Sequence, residues 1–282
     1  VNALQVSRIE SSLLTRDEVL AMVPLLNPSP DCRWPVHGAA IQRRAGVARH
    51  DAVAWGYARA ADGMGVDIIQ SCDVTGFRIE GGRVKAVETS RGVIEADVFG
   101  MAVAGASPDL ARLAGFQLPL LCVTLQAMVS EPLKPCLHHV VASTPNGAYV
   151  SQSDKGELVI GGGLEPVPSF ARRGGLAKTR EVIASVVEMF PAFSTLKLMR
   201  QWGGTVDTSP DNSPILGPSP VPNLYLNCGW GTGGFKAIPI GGKMLAHLMA
   251  TGRHHALSAP FGLERFTTGR LIDEAHAGVA HD

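Results

Sequence analysis

Residues 229–236 read Gly229-Trp230-Gly231-Thr232-Gly233-Gly234-Phe235-Lys236 and carry the strongest chemical signal in the sequence. Glycine has no Cβ, tolerates positive φ and leaves its amide uncovered. The run sits between a predicted short strand at 224–227 and an apolar helix at 238–250 that Gly252 stops. Strand, glycine turn and helix together aim backbone N–H groups and the positive helix end at an anion or at the polar edge of a cofactor. The same glycines are also compatible with plain turn punctuation. The spacing is not that of the dinucleotide fingerprint, because no acidic residue follows some twenty positions on in a βαβ unit. Lys236, just past the turn, sets an ammonium where it can hold a carboxylate or stabilise developing negative charge; its alternative is a solvated lysine.

His50 stands between Arg49 and Asp51, directly before a predicted helix for which Asp51 is a suitable N-cap. A neutral imidazole nitrogen there is available as a nucleophile toward an electrophilic cofactor, although a loop histidine commonly has no such role. Arg43, Arg44 and Arg49 precede it and either clamp a phosphate or decorate the surface. His138-His139 and His254-His255 are adjacent pairs whose rings diverge on a strand, so no metal site is indicated. The sequence has no nucleophile elbow and no Walker motif, which removes support for hydrolase and nucleotide-triphosphatase readings.

Positioning these groups requires a mixed architecture. Thr15-Arg16-Asp17-Glu18 is a T-x-x-E capping box opening a short helix that Pro24 closes. An alanine-rich helix is predicted at 51–64, then a short strand at 66–69. Strands at 74–79 and 84–89 pair through Gly81-Gly82, and a further turn at Arg91-Gly92 leads to 93–97, a β-meander. A buried strand is expected at 99–104 and a helical turn at 109–113. Strands dominate 122–162, with a turn at Asp154-Lys155-Gly156, before helical periodicity at 176–190 and a strand at 198–206. A predominantly antiparallel second domain is implied.

The 282 residues, 45% hydrophobic and 18% charged, are enough for one large domain or two joined ones. Twenty-five basic residues balance 25 acidic ones, so no net positive field favours nucleic acid or anionic lipid. Cys32, Cys72, Cys122, Cys136 and Cys228 are odd in number and scattered, which fits a reducing cytoplasm. No apolar run is long enough for a membrane span, and no basic-then-apolar leader opens the chain. Because it starts at Val1 and soon enters a capped helix, the sequence reads as a start within a domain.

Four stretches give the sequence a wider likeness: 43–76 (RRAGVARHDAVAWGYARAADGMGVDIIQSCDVTG), 151–163 (SQSDKGELVIGGG), 200–217 (RQWGGTVDTSPDNSPILG) and 224–236 (LYLNCGWGTGGFK). The tail at 259–274, APFGLERFTTGRLIDE, adds a fifth. With these the chain resembles the β subunits of heterotetrameric sarcosine oxidases, within the sarcosine and D-amino-acid oxidase flavoproteins. The resemblance implies an α/β fold made of the remainder of a Rossmann-like FAD-binding domain, at 1–115 and 200–282, and an antiparallel-sheet substrate domain at 116–199. Members of the family begin with a βαβ unit carrying the dinucleotide glycines, which is not in this sequence. A fragment or a truncated product is therefore expected, one that does not hold FAD stably alone. Ile240 is a smaller departure from the family's glycine-like pattern.

The resemblance implies oxidation of sarcosine by FAD, with glycine, hydrogen peroxide and formaldehyde or methylene-tetrahydrofolate as products. It implies covalent FMN on His50, FAD contacts at Val74, Gly231 and Gly234, and Lys236 at the flavin and substrate cleft as the catalytic residue. Partners implied are α, γ and δ subunits, tetrahydrofolate, and NAD on the α subunit. A single-subunit amine or amino-acid oxidase and a flavin-free scaffold that docks on other subunits are the alternatives; FAD binding separates the enzyme from the scaffold.

Overall fold

In the computed structural model, which describes residues 1–272, the spacing of Thr15 and Glu18 closes a full capping box. Thr15 N–H donates to Glu18 Oε2 at 2.7 Å, and Glu18 N–H donates to Thr15 Oγ1 at 3.4 Å. Helix α1 (Asn2–Val6) and strand β1 (Ser12–Thr15) precede the box, α2 (Arg16–Met22) follows it, and β2 (Gly38–Ile41) returns antiparallel onto β1. The box satisfies orphan amides at the helix start. Val19, on the inner face of α2, is buried.

Helix α3 (His50–Gly63) comes next, then the meander β3 (Val74–Glu80), β4 (Arg83–Thr89) and β5 (Gly92–Glu95). Gly81 and Gly82 take φ of +57° and +77°, the doubly left-handed turn that suits the twist of a two-residue hairpin. The strand expected at 66–69 does not form. Those residues pair with no strand, and Val66, Ile68 and Ile69 stay exposed; β-branched composition makes a strand only where a neighbour supplies the ladder. Strand β6 is shorter than expected (Phe99–Met101), and α4 (Ser107–Leu113) carries Pro at its start.

A long sheet follows: β7 (Leu121–Pro132), β8 (Val141–Ser143), β9 (Ala148–Gln152), β10 (Glu157–Pro168) and, beyond α5 (Leu176–Met189), β11 (Leu198–Thr208). Its spatial order is β11-β7-β10-β9-β8. One face packs on α5, so Met128, Val150, Leu158, Val182, Val186 and Phe190 form a buried core. The final elements are β12 (Ile215–Pro218), β13 (Leu224–Cys228), α6 (Gly234–Thr251) and the short α7 (Arg265–Thr268). Strand β13 pairs antiparallel with β12 and parallel with β6. Asn223, at φ +66°, stitches the meander to this small sheet. Its Nδ2 donates to Val84 O and Asp97 O, both at 2.8 Å, and its Oδ1 accepts from Val84 N–H at 3.0 Å.

The chain thus visits each of two units twice, Val1–Ala48 with Val123–Thr205 and Arg49–Cys122 with Val206–Asp282. The mixed α/β class is as expected, but residues 1–48 group with the antiparallel sheet rather than with 49–115. Apolar contact decides this. Val19, Val23 and Leu26 share the core of α5 and its sheet, and Asn27 N–H donates to Met189 O at 2.7 Å. Of the tail 259–274, Asp273 and Glu274 lie outside the described residues. No helix among the described residues is long and apolar enough to cross a membrane.

In the second unit a buried ion pair fastens α7. Arg265, 3% exposed, donates Nε to Asp211 Oδ2 at 2.7 Å and Nη2 to Asp211 Oδ1 at 2.9 Å. Its remaining donors reach the carbonyls of Ser213, Phe261 and Gly262. Burial alone would raise the Asp211 carboxyl; the guanidinium, the Ile272 amide and the Ser209 hydroxyl override it and hold the pKa at about 2. Asp211→Asn leaves a buried guanidinium without its counter-charge and is expected to cost about 3–5 kcal/mol in urea unfolding at neutral pH. Because the folded pKa is depressed, this contribution is present above the ordinary carboxylate range and fades as the carboxyl protonates on approach to about pH 2. The gap between wild type and variant must therefore narrow with acid; a gap independent of pH would show that the pair is not its source.

Candidate functional site

Strand β13 delivers the chain into Gly229, at φ +71°, then Trp230, then a single 3₁₀ turn Gly231–Gly233 that runs straight into α6. The helix begins four residues earlier than the sequence pattern predicts, so Gly234 is its first residue and the 3₁₀ turn abuts it. Gly233 is the N-cap and offers no side chain, and no acidic residue lies in the first turn. The leading amides of an 18-residue helix are thus left without a side-chain cap, at the positive end of its dipole. Gly252, at φ +67°, closes the other end in the left-handed conformation.

Trp230 holds the turn in place. Its Nε1–H donates to Asn227 Oδ1 at 2.6 Å. A Cβ added at Gly234 would lie 3.0 Å from Trp230 Cβ, and one added at Gly241 would lie 3.0 Å from Trp230 Cζ2. Gly234 is therefore glycine to admit the tryptophan, whereas Gly231, at φ +53° with only Thr208 Oγ1 nearby at 3.8 Å, is glycine for its backbone. From the end of β11, Thr208 forms an isolated antiparallel bridge with Trp230. Asp207 Oδ2 accepts the Gly229 N–H at 2.6 Å, with the residue only 4% exposed.

Gly231, Gly234 and Lys236 therefore fall within one cradle. Lys236 is exposed in the first turn of α6, its Cε 3.8 Å from where a Cβ of Gly233 would be. It has no hydrogen bond or ion pair among the described residues. Phe235, Ile238 and Ile240 are exposed on the same stretch of helix. His50 and Val74 belong to the same unit but to other elements. His50 is the exposed first residue of α3 and Val74 is the half-buried first residue of β3, paired with Thr89. The helix cap expected at Asp51 falls instead on Arg49, without a side-chain cap bond. Asp51 Oδ1 accepts from the Ala52 amide at 2.9 Å, and that bond lowers its pKa.

Sequence reading did not single out Asp207 or the anchoring role of Trp230. Both lie inside stretches of family likeness, but neither has a spacing that marks it; the depth of burial and the Gly229 contact are tertiary facts. Tyr149 was missed in the same way. In the other unit it lies across Gly161, where any Cβ would strike its ring, and burial pushes its phenol pKa up. That unit also holds a cavity of about 790 Å³ lined by Leu14, Val19, Leu26, Leu137, Arg43 and His139, among others. Of the residues singled out from sequence, Arg43 lines it, whereas His50, Val74, Gly231, Gly234 and Lys236 do not. No cluster of three or more His, Cys, Asp or Glu suited to a metal occurs among the described residues.

Residues 2–248 match the family model described as FAD dependent oxidoreductase. The chain is 50% identical over all 282 residues to the sarcosine oxidase subunit beta of Rhodobacter capsulatus, spanning 68% of that protein. It is 49% identical to the subunit of the same name from Arthrobacter, spanning 70% of it. Among solved structures, L-proline dehydrogenase from P. horikoshii superposes with a TM-score of 0.85 at 26% identity, over 94% of this chain and 71% of that one.

Two adjacent glycines of α6 test the Trp230 anchor. A Cβ at Gly242 meets open space, so Gly242→Ala should raise stability by about 0.5–1 kcal/mol through helix propensity alone. Gly241→Ala offers the helix the same gain but presses on the indole, and overpacking of this kind costs about 1–3 kcal/mol. Thermal unfolding should move in opposite directions for the two variants; a rise in both would mean that Trp230 is not wedged against the helix.

Proposed function

The chain belongs to the FAD dependent oxidoreductases, among the sarcosine oxidase β subunits, and we propose that it oxidises sarcosine at a flavin within a multi-subunit oxidase. The observation that carries the reading is the uncapped glycine turn running into α6 with Lys236 in its first turn. The donor set suits the group: bare amides, a positive helix end, a left-handed backbone at Gly229 and Gly231, and no acidic side chain in the first turn to repel an electron-rich ring edge. Bound FAD supplies the two-electron acceptor for the substrate's N-methyl C–H bond.

The residues of this chain do the positioning. The amides of the turn beyond Gly231 hold the polar edge of the cofactor, and Trp230, wedged beneath Gly234 and Gly241, keeps that backbone from relaxing. The Lys236 ammonium holds the substrate carboxylate or stabilises the negative charge that develops as electrons arrive. Val74 contributes its backbone to the adenine side of FAD. His50, exposed at the head of α3, is the attachment point for FMN; the imidazole is sterically free for it. Products are glycine, hydrogen peroxide and formaldehyde, or methylene-tetrahydrofolate where tetrahydrofolate is present. The α, γ and δ subunits, with NAD on α, complete the oxidase.

Lys236→Met keeps side-chain length and removes the charge. In the reconstituted complex with normal flavin content, loss of one charge-assisted hydrogen bond of roughly 1.5–3 kcal/mol should lower kcat/KM by about one to two decades. Rates within about twofold of wild type in both the reductive and the oxidative half-reaction, measured separately, rule Lys236 out of the site. For His50, the acid-denatured complex is run on a gel. This chain's band should carry yellow fluorescence that His50→Ala abolishes, and fluorescence surviving in the variant refutes the attachment.

A further inference from the structure

Two buried aspartates, Asp207 near the end of β11 and Asp211 in the turn that follows it, live in opposite environments. Asp211 is bidentate to Arg265 and its pKa is held down, whereas none of the ion pairs among the described residues includes Asp207. Asp207 is 4% exposed and receives the Gly229 amide at 2.6 Å. Burial pushes its carboxyl pKa up, against the lowering effect of that amide and of its own. Titratable neighbours do not compensate it. Cys122 and Cys228 are thiols whose pKa values burial pushes up to about 11 and about 12, with Asp207 itself adding to the rise, so both are uncharged at neutral pH. Beyond Cys228, the Arg265 guanidinium is already committed to Asp211.

A neutral amide would accept the Gly229 N–H equally well and at smaller desolvation cost, so anchoring the turn does not by itself call for a carboxylate. What a carboxylate adds is charge, and its place is the back of the cradle. Gly229 is the first residue of the left-handed turn and a Cβ there would come 3.0 Å from Leu120 Cδ2. The next residue of β11, Thr208, bridges Trp230. The end of β11 thus grips the turn at two successive points.

We propose that Asp207 is a positioning residue of the oxidation site, fixing the first turn of the glycine cradle and setting a titratable negative charge behind the seat of FAD. The inference rests on the reading that this cradle holds FAD. A buried anion there opposes the arrival of electrons, which low local dielectric makes felt over several ångströms. Because its pKa is raised, the group is neutral at low pH and becomes charged as pH rises, so its opposition to reduction grows with pH.

The test uses the complete multi-subunit oxidase with Asp207→Asn, Asp207→Ala and, as a control on the cradle itself, Gly231→Ala. Asp207→Asn keeps an acceptor for Gly229 and removes the charge. It should assemble with wild-type FAD content and show an FAD midpoint potential more positive than wild type, by a gap that grows with pH across the range in which the carboxyl ionises. Asp207→Ala removes acceptor and charge together and should weaken FAD binding roughly tenfold, the effect of one charge-assisted hydrogen bond. A midpoint potential in Asp207→Asn equal to wild type across that range overturns the proposal, as does full-affinity FAD binding in Asp207→Ala. If Gly231→Ala loses FAD while both Asp207 variants behave as wild type, only the role of Asp207 fails. If Gly231→Ala binds FAD with wild-type affinity, the assignment of the cradle fails instead.

Discussion

The indole of Trp230 is the part on which the arrangement of the second unit turns. It is held at its nitrogen by Asn227, pressed between two glycines of α6 and bridged by Thr208 at its backbone. A side chain of that size lying against a helix requires the helix to have no Cβ at the contact, and Gly234 and Gly241 satisfy the requirement one after the other along the same face. The consequence reaches the chemistry. A helix seated this closely on the turn cannot slide, so its first amides stay where β13 and the turn put them. Preorganisation of donors, rather than their number, is what allows a backbone cradle to hold a cofactor edge.

Polar groups inside the second unit divide between holding and tuning. Asn223 spends its amide on three backbone bonds that join the meander to the small mixed sheet, and Arg265 spends its donors on Asp211 and three carbonyls. Each of these is close to fully satisfied, as buried polar groups in stable structures are. Asp207 stands apart because it is buried with backbone amides but no cation to offset its charge. Acids perturbed by burial without a counter-charge gather at functional sites more often than in structural cores. The first unit is built differently, from one large sheet, one helix and an N-terminal segment that adds three apolar residues to the shared core.

Much of this was legible in the sequence because local chemistry governs it. The capping box at Thr15 and Glu18, the Gly81-Gly82 hairpin, the left-handed stop at Gly252 and the strand-turn-helix around 229–236 all depend on residues a few positions apart, whose φ, hydrogen bonds and side-chain reach are set within the segment. The likeness of long stretches to one family also came from sequence alone. Tertiary structure decided the rest. Residues 66–69 have strand composition and form no strand, because a ladder needs a partner that composition cannot supply. Residues 1–48 joined the antiparallel sheet because Val19, Val23 and Leu26 found their apolar neighbours more than 100 positions away. Asp207 reads in sequence as one more polar residue in a turn-rich stretch; folding buries it, deprives it of a cation and brings it to an amide 22 positions on. Sequence determines what a short segment does with its own hydrogen bonds, whereas burial and charge compensation belong to contacts that exist only once distant segments have packed.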